Sequence, residues 1–329
     1  MTFRPESHFF IHLNIYMKKL NIYLVILGIV LFSFNAIGQF TTDCFFPKKG
    51  ESSIAVGYTS KSYDTFYAGT TLAEGNPGGF GAIDSKIVSV YGTYSFSDKL
   101  TAVVSLPYIS VKNESGVDDP VQMTNKVSAL QDLSLGVKTK LWQQKFNNSG
   151  IILGAGAFVH LPIGNYEEAG ILSVGNGAFS VDGVALLHVQ IYGGLFAAAQ
   201  AGYSVRQNSD FEIPNAFIGE LRLGYAHPLF FLSTSLGRQN SASSFDIGSE
   251  EFMMRGGPAI LPETEVDYTV LNISGYVPFG KSGIGATAGY GKVLSGRNAG
   301  AESFVTVGIV VNGKGFNKRK EMEEEMKMK

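Results

Sequence analysis

The sequence predicts an all-β chain: a transmembrane, antiparallel, up-and-down β-barrel of about twelve strands. Three observations predict it. The first is composition: 45% of the 329 residues are hydrophobic and only 16% charged, against roughly 25% charged in soluble domains. The second is that no apolar run beyond Phe34 reaches the ~18 residues of a membrane-crossing helix, so any crossing must be made by strands. The third is the alternation of apolar and polar residues in short segments, clearest in QDLSLGVKTKLW (Gln131–Trp142). There Leu133, Leu135, Val137, Thr139 and Leu141 fall on one face, and Asp132, Ser134, Gly136, Lys138 and Lys140 on the other. In water such a strand is half of a sandwich; in an outer membrane it shows leucines to lipid and lysines to a wet lumen.

The chain begins with a leader, residues 1–38. Lys18-Lys19 precede the apolar run Ile22–Phe34, and Ala36-Ile37-Gly38 places small residues before Gln39. That is the plan of a secretory signal peptide, and the run is short of the ~17–25 residues of a spanning anchor. Met17 is the expected true start, because residues 1–16 spoil an otherwise compact signal. Residues 39–50, with Pro47-Lys48-Lys49-Gly50, form a periplasmic lead-in.

The barrel occupies residues 51–312. Strands are expected at Ser52–Tyr63, Lys86–Phe96, Leu100–Ser110, Asp132–Trp142, Gly150–Leu161 and Gly183–Tyr192. The second half supplies Leu195–Arg206, Ala216–His227, Leu229–Gln239, Glu265–Val277, Ile284–Leu294 and Ser303–Asn312. Between them long and short connections alternate. Ser97-Asp98-Lys99, Gln143–Ser149, Gly193-Gly194, the Pro228 turn and Phe279–Gly283 are short. Thr65–Ser85, Val111–Gln131, Pro162–Asp182, Gln207–Asn215, Asn240–Thr264 and Ser295–Glu302 are longer. Short periplasmic turns and long outer loops are the signature of an outer-membrane barrel, and an even strand count places both termini in the periplasm. A soluble secreted sandwich, the competing architecture, has no reason to gather every long loop at one end. Tyr91, Tyr94, Phe96, Tyr108, Trp142, Tyr192, Tyr225, Phe230, Phe231 and Tyr276 sit near strand ends, where aromatic girdles belong. Residues 313–329 form a charged tail, either solvated and disordered or a helix for a partner.

The segment DLSLGVKTKL (Asp132–Leu141) is similar to the Gly-Asp-Leu-x-Leu-Gly-x-Lys-Tyr-x-Leu stretch of barrels of the meta-pathway of phenol degradation family. KGESSIAVGY (Lys49–Tyr58) resembles its first strand, SLPY (Ser105–Tyr108) its Leu-Pro-Tyr strand end, and HLPIG (His160–Gly164) its Leu-Pro-Thr-Gly. The chain departs from the family where Leu130-Gln131 stands in place of Gly, and in lacking a terminal aromatic. The resemblance implies an outer-membrane transporter for small, hydrophobic molecules.

Other chemistries find little support. A single cysteine, Cys44, excludes an intrachain disulfide, is not in a lipobox, and is expected as a free thiol near the periplasm. His160, His188 and His227 lie on different strands without metal-ligand spacing, so no metal and no cofactor are expected. Gly283–Ala288 matches G-x-G-x-x-A but opens a strand, which a dinucleotide site does not. A net charge of −2 gives no case for nucleic acid. A lipid hydrolase needs Ser beside His and a group to orient it; neither His188 nor His227 offers that spacing, so the chain is read as a non-enzyme. Parity directs Asp132, Lys138, Lys140, Arg206, Glu220 and Arg222 inward, either paired within a plugged core or forming a constriction that screens solutes. The loop segment Asn76–Gly81 folds inward as a constriction or stays mobile. The expected function is an outer-membrane channel or transporter for a small, hydrophobic or aromatic solute, with outer-membrane lipid and the barrel-assembly machinery as partners. The alternative is a structural or surface-binding barrel that acts through its long loops.

Overall fold

The computed structural model describes residues 42–76 and 79–313. The leader (1–38) and residues 314–329 of the tail lie outside them, as do Pro77 and Gly78 of the first long loop.

Twelve long strands close into one antiparallel barrel. They are β1 (Ser52–Tyr63), β2 (Ile83–Ser95), β3 (Leu100–Asn113), β4 (Leu133–Lys145), β5 (Gly150–Leu161) and β6 (Phe179–Gln190), then β7 (Leu195–Gln207), β8 (Ala216–His227), β9 (Phe230–Ser241), β10 (Asp267–Pro278), β11 (Ile284–Arg297) and β12 (Ser303–Gly313). Each pairs with its sequence neighbour, and β12 returns to β1 in a register running from Ser52↔Gly313 to Ser62↔Ser303. Closure leaves no unpaired edge, which a sheet needs in lipid, where water cannot satisfy its backbone. All twelve expected strands are present, and Ser52–Tyr63, Gly150–Leu161 and Ala216–His227 have the expected bounds. The main departure in the connections is the last one: β11 runs on to Arg297, leaving only residues 298–302, no longer than the short turns.

The alternation decides which face meets which medium. On β12, Val305, Val307, Ile309 and Val311 are each about half exposed, while the intervening Thr306 hydrogen-bonds Thr59 of β1 across the lumen face. Leu135 and Val137 on β4, Leu221 and Leu223 on β8, and Leu271 and Ile273 on β10 are likewise exposed. Such a continuous apolar belt would be an aggregation surface in water; around a closed barrel it is the lipid contact. At Leu141 a bulge shifts the β4–β5 register between Lys140 and Trp142, so that Leu141 and Trp142 both stay outside.

Some of the Gly and aromatic residues work in cross-strand pairs. Gly136 stands directly opposite Phe158, Gly224 opposite Phe196, and Gly291 opposite Phe304 on adjacent strands. In each case the phenylalanine ring lies over the glycine, in the space a Cβ would need. A ring folded over a cross-strand glycine covers backbone that would otherwise go unpacked. Three expected girdle residues do otherwise: Tyr91, Phe231 and Tyr276 face the lumen, one residue out of phase with the lipid-facing Val90, Leu232 and Val277.

The long-loop end is capped. Phe80, Ile83, Val111, Ala129, Leu172 and Val174 form a buried cluster there, so the first and third long loops fold inward. The Asp119 carboxylate accepts from the backbone N–H groups of Val121, Gln122 and Leu172, tying the second loop to the third. The fifth carries a short helix, α1 (Glu250–Arg255), capped by the Ser249 hydroxyl. Arg297 holds that loop through Asp246 and Glu265 at 2.7 Å each.

Candidate functional site: the barrel lumen

A twelve-stranded barrel has an interior only modestly wider than the eight-stranded kind that side chains fill, so its bore depends on what enters it. Toward the short-turn end Val103, Phe158, Val184 and Leu186 point inward and are almost wholly buried, interleaved with the buried polar side chains of Thr101, Lys138, His188 and Gln200. Into this core runs the segment before β1. The Lys138 ammonium donates to the Asp43 carboxylate at 2.6 Å and to the Asp43 carbonyl at 3.0 Å. Gln200 donates to the Thr42 carbonyl at 3.2 Å. The Cys44 thiol donates to the Ala199 carbonyl at 3.4 Å. Phe45 packs its ring against His188, Phe196 and Phe231, with centroids 5.2, 5.4 and 5.9 Å away. Phe46 lies under both Lys138 and Lys140, at 5.6 and 5.8 Å. Residues 42–46 are therefore a plug inside the barrel. The sequence places them outside it, in the lead-in, with Cys44 near the periplasm; Cys44 is the expected free thiol, but it lies inside the barrel, 2% exposed. The reason is chemical. Lys138 is 1% exposed, and an ammonium so buried requires an anion, which no neighbouring strand supplies and Asp43 does.

The six inward charges do face inward, but they form no single ring. Lys138 and Lys140 share Phe46. Glu220 and Arg222 pair with each other at 2.8 Å. Arg206 donates to Gln239 at 2.9 Å. Asp132 accepts from the Tyr166 hydroxyl of the third long loop at 2.7 Å. Where Asp43 is concerned, burial pushes its carboxyl up, but the Lys138 charge and hydrogen bond, with the Phe45 N–H, outweigh it and hold the pKa below the ordinary value. Burial, with the Asp43 charge adding, raises the Cys44 thiol to about 12.

Beyond the plug, toward the long loops, the lumen turns polar. A cavity of about 530 Å³ is lined by Thr42, Asp43, Tyr91, Asp132, Ser134 and His160, among others. A second, of about 340 Å³, shares Asp132 and His160 and continues past Asp182 and Arg206. Between them the Ser134 hydroxyl lies 2.7 Å from His160 Nδ1, and His160 Nε2 lies 2.9 Å from Asp182 Oδ2. The sequence reading missed this chain because the three residues sit on separate strands; their common inward parity was the available signal. Among the described residues no group of three or more His, Cys, Asp or Glu could hold a metal ion.

A family model described as "Putative MetA-pathway of phenol degradation" matches residues 79–248, just over half the chain. The chain belongs to this family. No curated protein sequence matches it. Among solved structures, the family chain is similar to the COG4313 outer membrane channel of Pseudomonas putida F1. Identity is 18% and the TM-score 0.66, over 82% of this chain and 98% of that one. It is more loosely similar to the autotransporter NalP translocator domain of Neisseria meningitidis, with 13% identity, a TM-score of 0.44, and coverage of 91% and 98%. The first of these shares the whole barrel fold.

Proposed function

We propose that the protein is an outer-membrane channel for a small, apolar or aromatic solute, gated by its own residues 42–46. The observation that carries this is the plug: a short chain segment, held in the lumen mainly by the Lys138–Asp43 pair and one aromatic cluster. A barrel that served only as a scaffold would gain nothing from closing its bore with a segment attached at one end. A polar antechamber above a stretch where aromatic rings are interleaved with polar groups suits a solute that is partly both, and the family's description points to aromatic compounds. In this reading the barrel sits in the outer membrane of a Gram-negative-type cell with both termini in the periplasm, and it is not an enzyme in its main role. Its assembly partner is the barrel-assembly machinery, as for other barrels of that membrane.

Single-channel recording of residues 39–329 in planar bilayers tests the reading. The unaltered protein should give small or rare openings, and Asp43→Asn should make openings larger or more frequent by freeing the plug. Conductance that is absent from both forms, in protein shown to be folded, would favour a surface-binding barrel. The order of the long loops, knit by Asp119 and Arg297, would then be the feature to explain.

A further inference from the structure

We propose that the lumen also holds a hydrolytic site, with Ser134 as nucleophile, His160 as base and Asp182 as the group that orients the base, acting on small neutral carboxylic esters. The geometry assigns one role to each atom. Asp182 Oδ2 accepts from His160 Nε2–H, which leaves the lone pair on Nδ1 to accept from the Ser134 hydroxyl. The imidazole is turned around relative to the common serine hydrolase arrangement, but either nitrogen can serve as the base when the other is held by a carboxylate.

The backbone places these groups with little freedom. Ser134 and His160 are directly opposite each other on β4 and β5, and Asp182 lies on β6, two residues beyond Ser180, which stands opposite His160. Side chains on a closed sheet are held more tightly than any on loops. Three polar residues facing one lumen could pair simply to satisfy each other. Two features exceed that need. Ser134 and His160 both line the cavity of about 530 Å³, which is large enough to hold a small ester. On its other wall is Tyr91, two strands away in the same row through Ser105. The Tyr91 hydroxyl is buried, within reach of the Thr42 and Asp43 side chains but closing no well-formed hydrogen bond with either, so a small rotation would let it donate to a carbonyl oxygen that becomes negative.

The reaction balances with water alone. The Ser134 oxygen attacks the ester carbonyl carbon while its proton passes to His160 Nδ1. The carbon–oxygen bond to the alcohol breaks, and that proton goes to the departing oxygen. Water then attacks the acyl-serine, gives its proton to His160, and the proton returns to Ser134 as the acid leaves. Among the described residues, the lining of this cavity includes Asp132 and the Lys138-paired Asp43 but no Lys or Arg, so it offers no cation for an anionic substrate and suits neutral esters.

The test uses the full barrel folded in detergent, assayed with p-nitrophenyl acetate and with a fluorophosphonate probe located by mass spectrometry. Probe on Ser134 and ester turnover are expected in the unaltered protein, both lost in Ser134→Ala. Asp182→Asn should lower turnover by roughly 10³–10⁴-fold, as expected when the base loses its orienting carboxylate. Heat-modifiable migration on gels certifies that each variant is folded. Turnover equal in unaltered protein and Ser134→Ala, or probe absent from Ser134, overturns the proposal. Conductance does not enter either readout, so the channel reading stands or falls separately.

Discussion

Cys44 is the residue through which the plug can be watched. Its thiol is buried against Ala199, and its pKa near 12 leaves almost no thiolate at neutral pH, so aqueous maleimide should label it very slowly. Replacing Asp43 by Ala strips the buried Lys138 of its anion. Loss of one partner from a buried pair costs of the order of 3 kcal/mol, which exceeds what one hydrogen bond from Gln200 to Thr42 can offset. The segment should then leave the lumen, and Cys44 labelling in Asp43→Ala should speed up at least tenfold at unchanged pH. An unchanged labelling rate would mean that the aromatic contacts of Phe45, rather than the ion pair, hold the plug. Lys138→Met strands the Asp43 carboxylate instead, so it should speed Cys44 labelling as Asp43→Ala does.

At the level of strands, the glycine–phenylalanine pairs test how the barrel is packed. Gly136 and Phe158 face each other across β4 and β5, with the ring in the place of a side chain. Gly136→Val must push that ring out of the apolar lumen core, a loss of about 1–3 kcal/mol for overpacking. It should be read as an earlier urea midpoint for unfolding from detergent micelles. Gly183→Ala on β6 is the control, since nothing lies within 4 Å of an added Cβ there, and its midpoint should hardly move. Equal shifts for the two would show that strand propensity, not the ring, sets the cost. The same pairs account for part of the Gly and Phe in the composition, while other glycines serve turns at positive φ.

For the molecule as a whole, the membrane orientation of the two faces is the claim with most at stake. Ile309 lies near the middle of β12, half exposed, between Val56 and Ala286 on the flanking strands. An arginine at a mid-bilayer, lipid-facing site of a barrel costs about 2–4 kcal/mol. Ile309→Arg should therefore lower folding stability in lipid vesicles by that amount, whereas Thr306→Arg, on the lumen face, should cost much less. The reverse order would mean that the belt described above is not the lipid contact.

The sequence by itself determined the architecture, because lipid imposes it. Every second residue of a strand must be apolar, every backbone group must be paired, and connections must be short on one side. That pattern is written locally, so the twelve strands, their phase and the inward direction of Lys138, Arg206, Glu220 and Arg222 could be read from it. Phase was misread at aromatic residues near strand ends, as at Tyr91, Phe231 and Tyr276, because an aromatic ring serves a packed lumen as well as a girdle. What fills the lumen is not local. Asp43 meets Lys138 across 95 positions of sequence, and Ser134 meets His160 and Asp182 across three strands. Only the closed tertiary structure decided those meetings, because strand order around the barrel sets which inward side chains share a row and which charge is left for the plug to neutralise.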